Sequence, residues 1–335
     1  MDNGTVSLER LQDTLIRYPR LLELHEDIRE CQELSKMAGE PHCMSLEGPT
    51  GAGKTTLILD YANQFPRLEA SEGTRIPMLY VETPSPVTVK GLAMKMLEEL
   101  GDPAAYKGTL TSMNTRLIHF IKHCCVELVI LDDFQHLIDS ETEKILAKVS
   151  NWLKVLIKET GVPFLVVGIE GRVELILKSN KQLSRLFAVR EELKRFEWNV
   201  SAPESIQEFA DFVQLTEDVV GYNLPWRSDS DVDLLYRIHY ATDGVIANLM
   251  NLMRGAALLA HKQGVDKLEM DLLSAVFAKR LSKHLYGRTN PFQTSVGEVF
   301  TLPKAAFVDE HNAVGRKGRN GTKKDPSIAA TLSAR

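Results

Sequence analysis

The chain has 335 residues, of which 44% are hydrophobic and 25% are charged, a composition typical of a soluble globular protein with one large or two modest domains. Its longest apolar run covers residues 162–169 and contains Pro163 and Gly168; it is far shorter than the ~20 residues that span a bilayer, so an integral membrane protein is excluded. The net charge of −5 does not exclude nucleic acid as a partner, because the segment from Pro303 onward carries seven basic and three acidic residues.

The cysteines and the first residues bear on the compartment. Cys31, Cys43, Cys124 and Cys125 form no C-x-x-C pair. The opening MDNGTVSLER has neither the basic nor the apolar region of a secretory signal. We therefore expect a protein of the reducing cytoplasm.

Short apolar runs alternate with longer amphipathic stretches over the first 200 residues, which predicts an α/β fold with a mostly parallel sheet flanked by helices. Strands are predicted at residues 43–47, 78–82, 128–131, 164–168 and 195–198. Helices are predicted near residues 7–37, 55–64, 86–100, 110–124, 141–159 and 171–177. The strand signal then ends, and helical spacing continues near residues 201–215, 231–240, 244–262 and 271–283.

This order divides the chain into four parts, which are a helical leader (1–40), an α/β core (41–200), a small helical lid (201–284) and a basic tail (285–335). From Pro303 onward the tail has a net charge of +4 and little apolar content, so we expect it to be disordered. Such a tail is either a solubilising extension or a tether for a partner.

A phosphate-binding loop lies between the first predicted strand and the following helix. Residues 48–55 read GPTGAGKT, a full match to the G-x-x-x-x-G-K-[ST] pattern in the context that the pattern requires. Backbone N–H groups and the helix N-terminus can then converge on a polyphosphate, while Lys54 reaches the β- and γ-phosphates and Thr55 binds Mg²⁺. The predicted nucleotide-binding residues are Gly48, Pro49, Thr50, Gly51, Ala52, Gly53, Lys54, Thr55 and Thr56.

Two carboxylates end the third predicted strand, in the sequence LVILDD. At the end of a strand beside the phosphate loop, Asp132 can hold Mg²⁺ through water, and Asp133 can polarise the attacking water as a general base. Because Asp133 is one methylene shorter than the more usual Glu, we expect slow hydrolysis. His136 is predicted to orient the loop or lie on the surface, since no second metal ligand has a useful spacing.

An arginine after the fourth strand is a candidate to complete the site. Arg185, in QLSRLF, is placed where it could reach the nucleotide of a neighbouring subunit and neutralise transition-state charge. Arg190, Lys178 and Lys181 compete for this role by proximity. A surface salt bridge is the alternative function of any one of them.

These motifs together resemble a known family. The loop GPTGAGKT, the strand end VILDDFQH, the segments VVGIEG and QLSRLF, the helical lid and the leader RYPRLLELHEDI are similar to those of the AAA+ ATPases that regulate transposition, the TnsC/TniB group related to MuB. The resemblance covers about Tyr18 to Lys283. It implies an AAA+ P-loop NTPase fold and a bacterial protein with ATP and Mg²⁺ as cofactors, with nucleotide-site roles for Lys54, Thr55, Asp132 and Asp133 and an arginine-finger role for Arg185.

The resemblance also implies partners. Proteins of this group assemble as ATP-dependent rings or filaments around double-stranded DNA, and they connect a TniQ-like target selector to a TnsB/TniA-like transposase. No base-reading motif is visible in this chain, so we expect non-specific, salt-sensitive contacts with DNA phosphates. The candidate contact residues are Lys90 and Lys107, with Lys122 or Lys148 as alternatives.

Two positions depart from the broader AAA+ pattern. The polar group expected after the fourth strand is replaced by Ile169 and Glu170, and the lid has Ala247 where an arginine is expected three residues after Gly244. Both replacements remove contacts with the γ-phosphate. We therefore expect weak turnover and retained nucleotide binding.

Other P-loop functions remain as alternatives. A small-molecule kinase would share the phosphate loop, but it does not need a helical lid and an arginine after the fourth strand. A replication initiator would share the AAA+ core, but it normally carries a further winged-helix domain, for which the residues after Lys283 are too few and too polar. A signalling NTPase would need a long sensor array, and a helicase-loader-like ATPase is the remaining alternative.

Overall fold

The computed structural model of the protein describes residues 15–71, 73–84, 88–137, 143–226, 231–285 and 288–293. Its strands are β1 (Met44–Glu47), β2 (Leu68–Ala70), β3 (Gly73–Arg75), β4 (Met78–Glu82), β5 (Leu128–Asp132), β6 (Phe164–Gly168) and β7 (Val189–Glu192). Five of these strands form a parallel sheet in the order β4–β5–β6–β1–β7. The other two, β2 and β3, pair as a small antiparallel hairpin.

Helices cover both faces of the sheet. In the leader and core they are α1 (Pro19–Ala38), α2 (Lys54–Ala62), α3 (Val89–Glu99), α4 (Leu110–His123), a 3₁₀ helix (Phe134–Leu137), α5 (Glu143–Thr160), α6 (Arg172–Lys178) and α7 (Lys181–Leu186). In the lid they are α8 (Pro203–Val220), α9 (Val232–Thr242), α10 (Ile246–Gln263) and α11 (Met270–Val276), which continues into a short π-helix (Phe277–Leu281). None of the helices in the described ranges is long and apolar enough to cross a membrane.

Alternate residues of the central strands bury themselves in two hydrophobic clusters. Ile130 and Val167 face the cluster that also contains α1, α2 and the lid helices, whereas Val129 and Val166 face the cluster formed with α3 to α7. Because successive strand residues point to opposite faces and helices cover both, β5 and β6 are buried at every position. The leader helix, the sheet and the lid therefore share one continuous core.

The predicted α/β architecture with a parallel sheet and the first four strands are confirmed, but the prediction of the fifth strand is wrong. Residues 195–198 form no strand; β7 lies earlier, where Val189 pairs with Met44 of β1. As an edge strand with a single neighbour, β7 (VREE) has no apolar run to reveal it. Phe196 and Trp198 are apolar because they pack on aromatic side chains of the leader and lid.

Several other boundaries also differ from the expectation. Neither the β2–β3 hairpin nor α7 was predicted, and the last lid helix changes to π geometry after Val276 instead of continuing to residue 283. The predicted leader helix is present from Pro19, and residues 1–14 lie outside the described residues. The predicted starts of the helices at residues 86 and 141 also lie outside them, so only the parts from Val89 and Glu143 are described.

The first part of the predicted tail packs on the lid. Arg288 donates to the carbonyl oxygen of Tyr240 and to the Asp243 carboxylate, each at 2.6 Å, and Phe292 is buried. The boundary predicted at residue 284 is therefore too early. Residues 294–335, which include the basic run, lie outside the described residues.

We expect Gly48→Ala to destabilise the fold, because a β-carbon at this position would overlap with the carbonyl oxygen of Leu193. Leu193 cannot easily shift, since its N–H donates to the carbonyl oxygen of Glu47 at 2.8 Å where the β1–β7 pairing ends. Overpacking of this kind costs about 3 kcal/mol of unfolding free energy, measured by chemical denaturation.

The control for this prediction is Gly161→Ala. A β-carbon there meets nothing within 4 Å, so its cost comes only from the left-handed backbone conformation at φ 73° and is smaller. A cost for Gly48→Ala no greater than that of the control would contradict the expected overlap.

Candidate nucleotide site

The phosphate loop connects β1 to α2 at the carboxyl edge of the sheet. Gly51 and Gly53 have φ values of 81° and 95°, a left-handed conformation that only glycine adopts readily. Gly53 is the N-cap of α2, so the first turn of that helix directs its free N–H groups toward the loop. The sequence therefore forms an anion-binding turn without side chains in the way.

Lys54 is buried at the start of α2, and its ammonium group donates to two loop carbonyl oxygens. The Nζ atom lies 2.7 Å from the oxygen of Gly48 and 3.0 Å from that of Pro49. Burial lowers the pKa of Lys54, and the nearby carboxylates of Asp132 and Asp133 oppose this shift. A cation held only by neutral oxygens is available to a phosphate, which would bind it more strongly.

Asp132 lies at the end of β5, is almost fully buried and connects three elements. Its carboxylate accepts hydrogen bonds from the Thr55 hydroxyl at 2.7 Å, the Tyr80 hydroxyl at 3.2 Å and the Asp133 N–H at 2.8 Å. Burial raises the pKa of Asp132, and the hydrogen bond from Thr55 is the largest effect that lowers it. The structure thus brings together Thr55 and Asp132, the two residues that the sequence predicted to hold Mg²⁺.

Asp133 follows with a left-handed backbone (φ 49°) and lines the same cavity as the phosphate loop. The Gln135 side chain links it to β6: Nε2 donates to Asp133 Oδ1 at 3.0 Å, and Oε1 accepts the Ile169 N–H at 3.2 Å. Because the Ile169 N–H needs an acceptor, the orientation of this amide is fixed, with its NH₂ group toward the carboxylate. Gln135 therefore holds the side chain that would act as the base.

The cavity has a volume of about 680 Å³ and lies between the phosphate loop, the leader and the lid. Its apolar part is formed by Ile16 and Tyr18 of the leader together with Phe212 and Met250 of the lid. Tyr18 meets Phe212 edge to face, with ring centroids 5.0 Å apart. A polar phosphate end and an apolar aromatic end suit the triphosphate and the base of a nucleotide.

The start of α10 closes the cavity above the loop. The Ala247 N–H donates to the carbonyl oxygen of Gly51 at 3.0 Å, so the lid touches the phosphate loop directly. Ala247 itself carries no polar side chain, as the sequence indicates, but Arg254 farther along the same helix lines the cavity. Ile169 and Glu170 replace the polar group expected after the fourth strand. Ile169 lines the cavity and its N–H donates to Gln135, whereas Glu170 is exposed.

The expectation of weak turnover with retained nucleotide binding stays a prediction. Gln135 and Arg254 add polar side chains to the lining of the cavity from positions that the motif does not include. Sequence reasoning also missed Tyr80, whose hydroxyl binds Asp132. No local motif of the sequence indicates these contacts of Gln135, Arg254 or Tyr80.

Comparison with known proteins now defines the family. Residues 8–198, more than half of the chain, match the family model described as "Bacterial TniB protein". The chain belongs to the TniB family. No curated protein matches the sequence.

Solved structures resemble this TniB protein in fold. The ORC2 protein of Aeropyrum pernix, in its ADPNP–ADP complexes, has a TM-score of 0.57 and 16% identity over 81% of this chain and 71% of its own. Cdc6p of Pyrobaculum aerophilum has a TM-score of 0.57 and 13% identity over 82% and 70%, respectively. The ORC1 protein of Aeropyrum pernix, in complex with DNA, has a TM-score of 0.55 and 15% identity over 81% and 69%. These similarities establish the AAA+ P-loop ATPase fold.

Arg185 of the TniB protein lies outside its own cavity. It is exposed near the end of α7, and among the described residues it has no hydrogen bond or ion pair and does not line the cavity. Arg190 instead donates to the Phe187 carbonyl oxygen and the Ser184 hydroxyl, and Lys178 pairs with a neighbouring glutamate. Among the four basic candidates, Arg190 and Lys178 thus already have partners within the chain. Lys181 is exposed, as Arg185 is.

The candidate DNA-contact lysines are all exposed, but the structure does not group them. Lys90 lies in the first turn of α3, which follows the carboxyl end of β4, whereas Lys107 lies in the loop beyond the other end of that helix. Lys122 and Lys148 lie on α4 and α5. Lys90 lies near the sheet edge that carries the phosphate loop, since α3 follows the carboxyl end of β4.

We expect Gln135→Leu to lower the rate of ATP hydrolysis about tenfold or more while leaving the nucleotide Kd nearly unchanged. The leucine keeps much of the volume but removes the donor that holds Asp133 and the acceptor for Ile169, so the base loses its position, whereas the loop contacts remain. Steady-state kinetics and equilibrium titration measure the two effects separately. The control is Gln64→Leu, at an exposed glutamine after α2; equal kcat values for both variants would exclude a positioning role.

Proposed function

We propose that this TniB protein is an ATP-dependent regulator of DNA transposition in the bacterial cytoplasm. It assembles as a ring or filament on double-stranded DNA and links a TniQ-like target selector to a TnsB/TniA-like transposase. The observation that carries the proposal is the cavity itself. In a chain of the TniB family, the phosphate loop, Asp133 and the lid line one space of about 680 Å³, and Asp132 is hydrogen-bonded to Thr55 of that lining.

The residues of the cavity suit ATP bound with Mg²⁺. The oxygens of Thr55 and Asp132, 2.7 Å apart, are the hard ligands that Mg²⁺ prefers, and the ion would supply charge neutralisation at the phosphates. Lys54 exchanges its two carbonyl partners for the β- and γ-phosphates. Asp133 orients the attacking water and accepts its proton, held in place by Gln135.

Assembly completes the site in this account. Arg185 is exposed and does not line the cavity of its own subunit, which is the position required of a residue that acts on a neighbour. An arginine donated in trans neutralises charge in the transition state, so hydrolysis depends on subunit contact. Nucleotide binding then favours assembly, and slow hydrolysis releases it.

DNA binding in this proposal is electrostatic and independent of sequence. The ORC1 protein of similar fold was solved in complex with DNA, which supports DNA as the partner of this chain too. Lys90 is the preferred contact because it lies at the sheet edge where the nucleotide binds. A regulator that accepts many targets needs phosphate contacts and not base readout.

The trans role of Arg185 predicts complementation between two inactive variants. Arg185→Ala keeps the base but not the finger, and Asp133→Asn keeps the finger but not the base. We expect each variant alone to hydrolyse ATP poorly with a normal nucleotide Kd. An equal mixture on DNA should recover about a quarter of the wild-type rate, because random head-to-tail assembly places an intact Asp133 next to an intact Arg185 at about a quarter of the subunit contacts.

The measurement is ATP hydrolysis by the separate and mixed variants, with co-assembly verified by pull-down of differently tagged subunits. A co-assembled mixture without recovered activity would place both residues in the same site. A large loss of nucleotide affinity in isolated Arg185→Ala subunits would also place the arginine in cis.

The electrostatic account of DNA binding predicts a reduced salt dependence for Lys90→Glu. With ATP present, the slope of log affinity against log salt should fall by about one ion per subunit, equally on two unrelated duplexes. Lys158→Glu is the charge-matched control, at an exposed position near the end of α5 and thus close to the opposite edge of the sheet. Unchanged binding by both Lys90→Glu and Lys107→Glu, or strong preference for one duplex, would contradict the account.

A further inference from the structure

Tyr80 lies on the edge strand β4, and its hydroxyl group reaches the nucleotide site. Tyr80 pairs with Ile130 in the parallel register of β4 and β5, so Asp132 is its diagonal neighbour, two residues farther along β5. Alternate residues of a strand share one face of the sheet, which places Tyr80, Ile130 and Asp132 on the same face. The phenol ring packs on the core cluster there, and its hydroxyl donates to Asp132 Oδ2 at 3.2 Å. The contact therefore follows from the register of the two strands.

The Asp132 carboxylate accepts three hydrogen bonds in the described part of the chain. Its Oδ2 atom accepts from the Thr55 hydroxyl at 2.7 Å as well as from Tyr80, and its Oδ1 atom accepts from the Asp133 N–H at 2.8 Å. Thr55 belongs to the phosphate loop and Asp133 to the acidic pair, so both donors are part of the motifs themselves. Among the described residues, Tyr80 is the only donor to this carboxylate from outside those motifs.

The strand that carries Tyr80 is fixed to β5 at the same residue. Glu82 pairs with Asp132 at the end of the β4–β5 ladder, and the Thr83 N–H donates to the Asp132 carbonyl oxygen at 2.9 Å. These backbone contacts define where Tyr80 lies relative to Asp132, so its hydroxyl is placed by the sheet and not by a loop. A group that orients a metal ligand needs such support, because the geometry of a site must be held within about 0.5 Å.

We propose that Tyr80 is a positioning residue for Mg²⁺, because its hydroxyl holds the Asp132 carboxylate in the orientation that binds the ion together with Thr55. This inference rests on the proposed binding of ATP with Mg²⁺ and adds to it a residue from outside the motifs. Tyr80 does not line the nucleotide cavity, so it acts through Asp132. Carboxylates that bind metals are themselves hydrogen-bonded, and loss of such a partner lowers metal affinity about 10- to 100-fold.

The test compares Tyr80→Phe, which keeps the ring and removes only the hydroxyl, with Tyr106→Phe. Tyr106 is an exposed tyrosine whose hydroxyl donates to Glu98 on α3, so the control loses a hydroxyl to carboxylate contact outside the site. Binding of a fluorescent ATP analogue is titrated with Mg²⁺ and, separately, measured in EDTA. Asp132→Asn and Lys54→Ala are included, because they verify the metal ligand and the nucleotide site independently of Tyr80.

We expect Tyr80→Phe to need about tenfold more Mg²⁺ for half-maximal binding of the analogue, with Tyr106→Phe unchanged. The Kd in EDTA should stay the same, because the Lys54 and loop contacts do not involve Tyr80. At saturating Mg²⁺ the hydrolysis rate should return to nearly that of the wild type, since Asp132 itself remains. This separation of metal affinity from the maximal rate distinguishes a positioning residue from a general loss of structure.

Three results would overturn the proposal while Asp132→Asn still weakens the response to Mg²⁺ and Lys54→Ala still loses binding. One is an unchanged Mg²⁺ requirement of Tyr80→Phe. Another is an equal loss of nucleotide affinity with Mg²⁺ and in EDTA, which would show a structural role. The third is a hydrolysis rate that stays low at saturating Mg²⁺. Normal binding by both Asp132→Asn and Lys54→Ala would instead contradict the proposed nucleotide site itself.

Discussion

The hydrogen bond between the Thr55 hydroxyl and the Asp132 carboxylate is the contact on which the nucleotide site depends. Thr55 belongs to the helix after β1 and Asp132 ends β5, and in the sheet these two strands are separated by β6. A 2.7 Å contact across an intervening strand requires the loop to lean over the end of β6. The crevice at the carboxyl edge of a parallel sheet is where α/β proteins bind ligands. Here the strand order determines which two segments face each other across it.

This arrangement explains why some of the site could be predicted from the sequence. The phosphate loop and the Asp132–Asp133 pair are contiguous motifs at strand ends, and the rule that parallel strands end on one edge is enough to bring them together. Gln135 and Arg254 could not be found that way. Gln135 lies on a 3₁₀ turn that brings its side-chain amide to the Ile169 N–H. Arg254 lies on the part of a lid helix that lines the cavity. Both depend on tertiary contacts that no local pattern contains.

The same reasoning applies to the fold. The buried strands β5 and β6 can be recognised in the sequence as continuous apolar runs, because helices cover both faces of the sheet. The edge strand β7, with the sequence VREE, is held by pairing with β1 on one side only, and its position follows from that pairing. The apolar residues of 195–198 belong instead to the aromatic cluster in which Phe196 meets Tyr18 of the leader and Phe212 of the lid. Periodicity cannot distinguish a buried strand from such a linker.

Two members of that aromatic cluster, Tyr18 and Phe212, line the apolar end of the cavity. Leader and lid share the core cluster of the sheet, so the apolar end of the cavity is held by packing. At the phosphate end, the lid meets the loop through the hydrogen bond between Ala247 and Gly51. The similarity to ORC and Cdc6 proteins concerns this shared AAA+ fold, and the TniB family match is what favours transposition over replication initiation.

The central claim is that nucleotide occupancy of this cavity causes assembly on DNA, and electron microscopy tests it most directly. The protein is imaged with duplex DNA in the presence of a non-hydrolysable ATP analogue, with ADP, and without nucleotide, with Lys54→Ala as the paired control. The account predicts rings or filaments on DNA with the analogue only, and none with Lys54→Ala. Particles that remain monomeric with the analogue and DNA, or assemblies that form equally with Lys54→Ala, would contradict it.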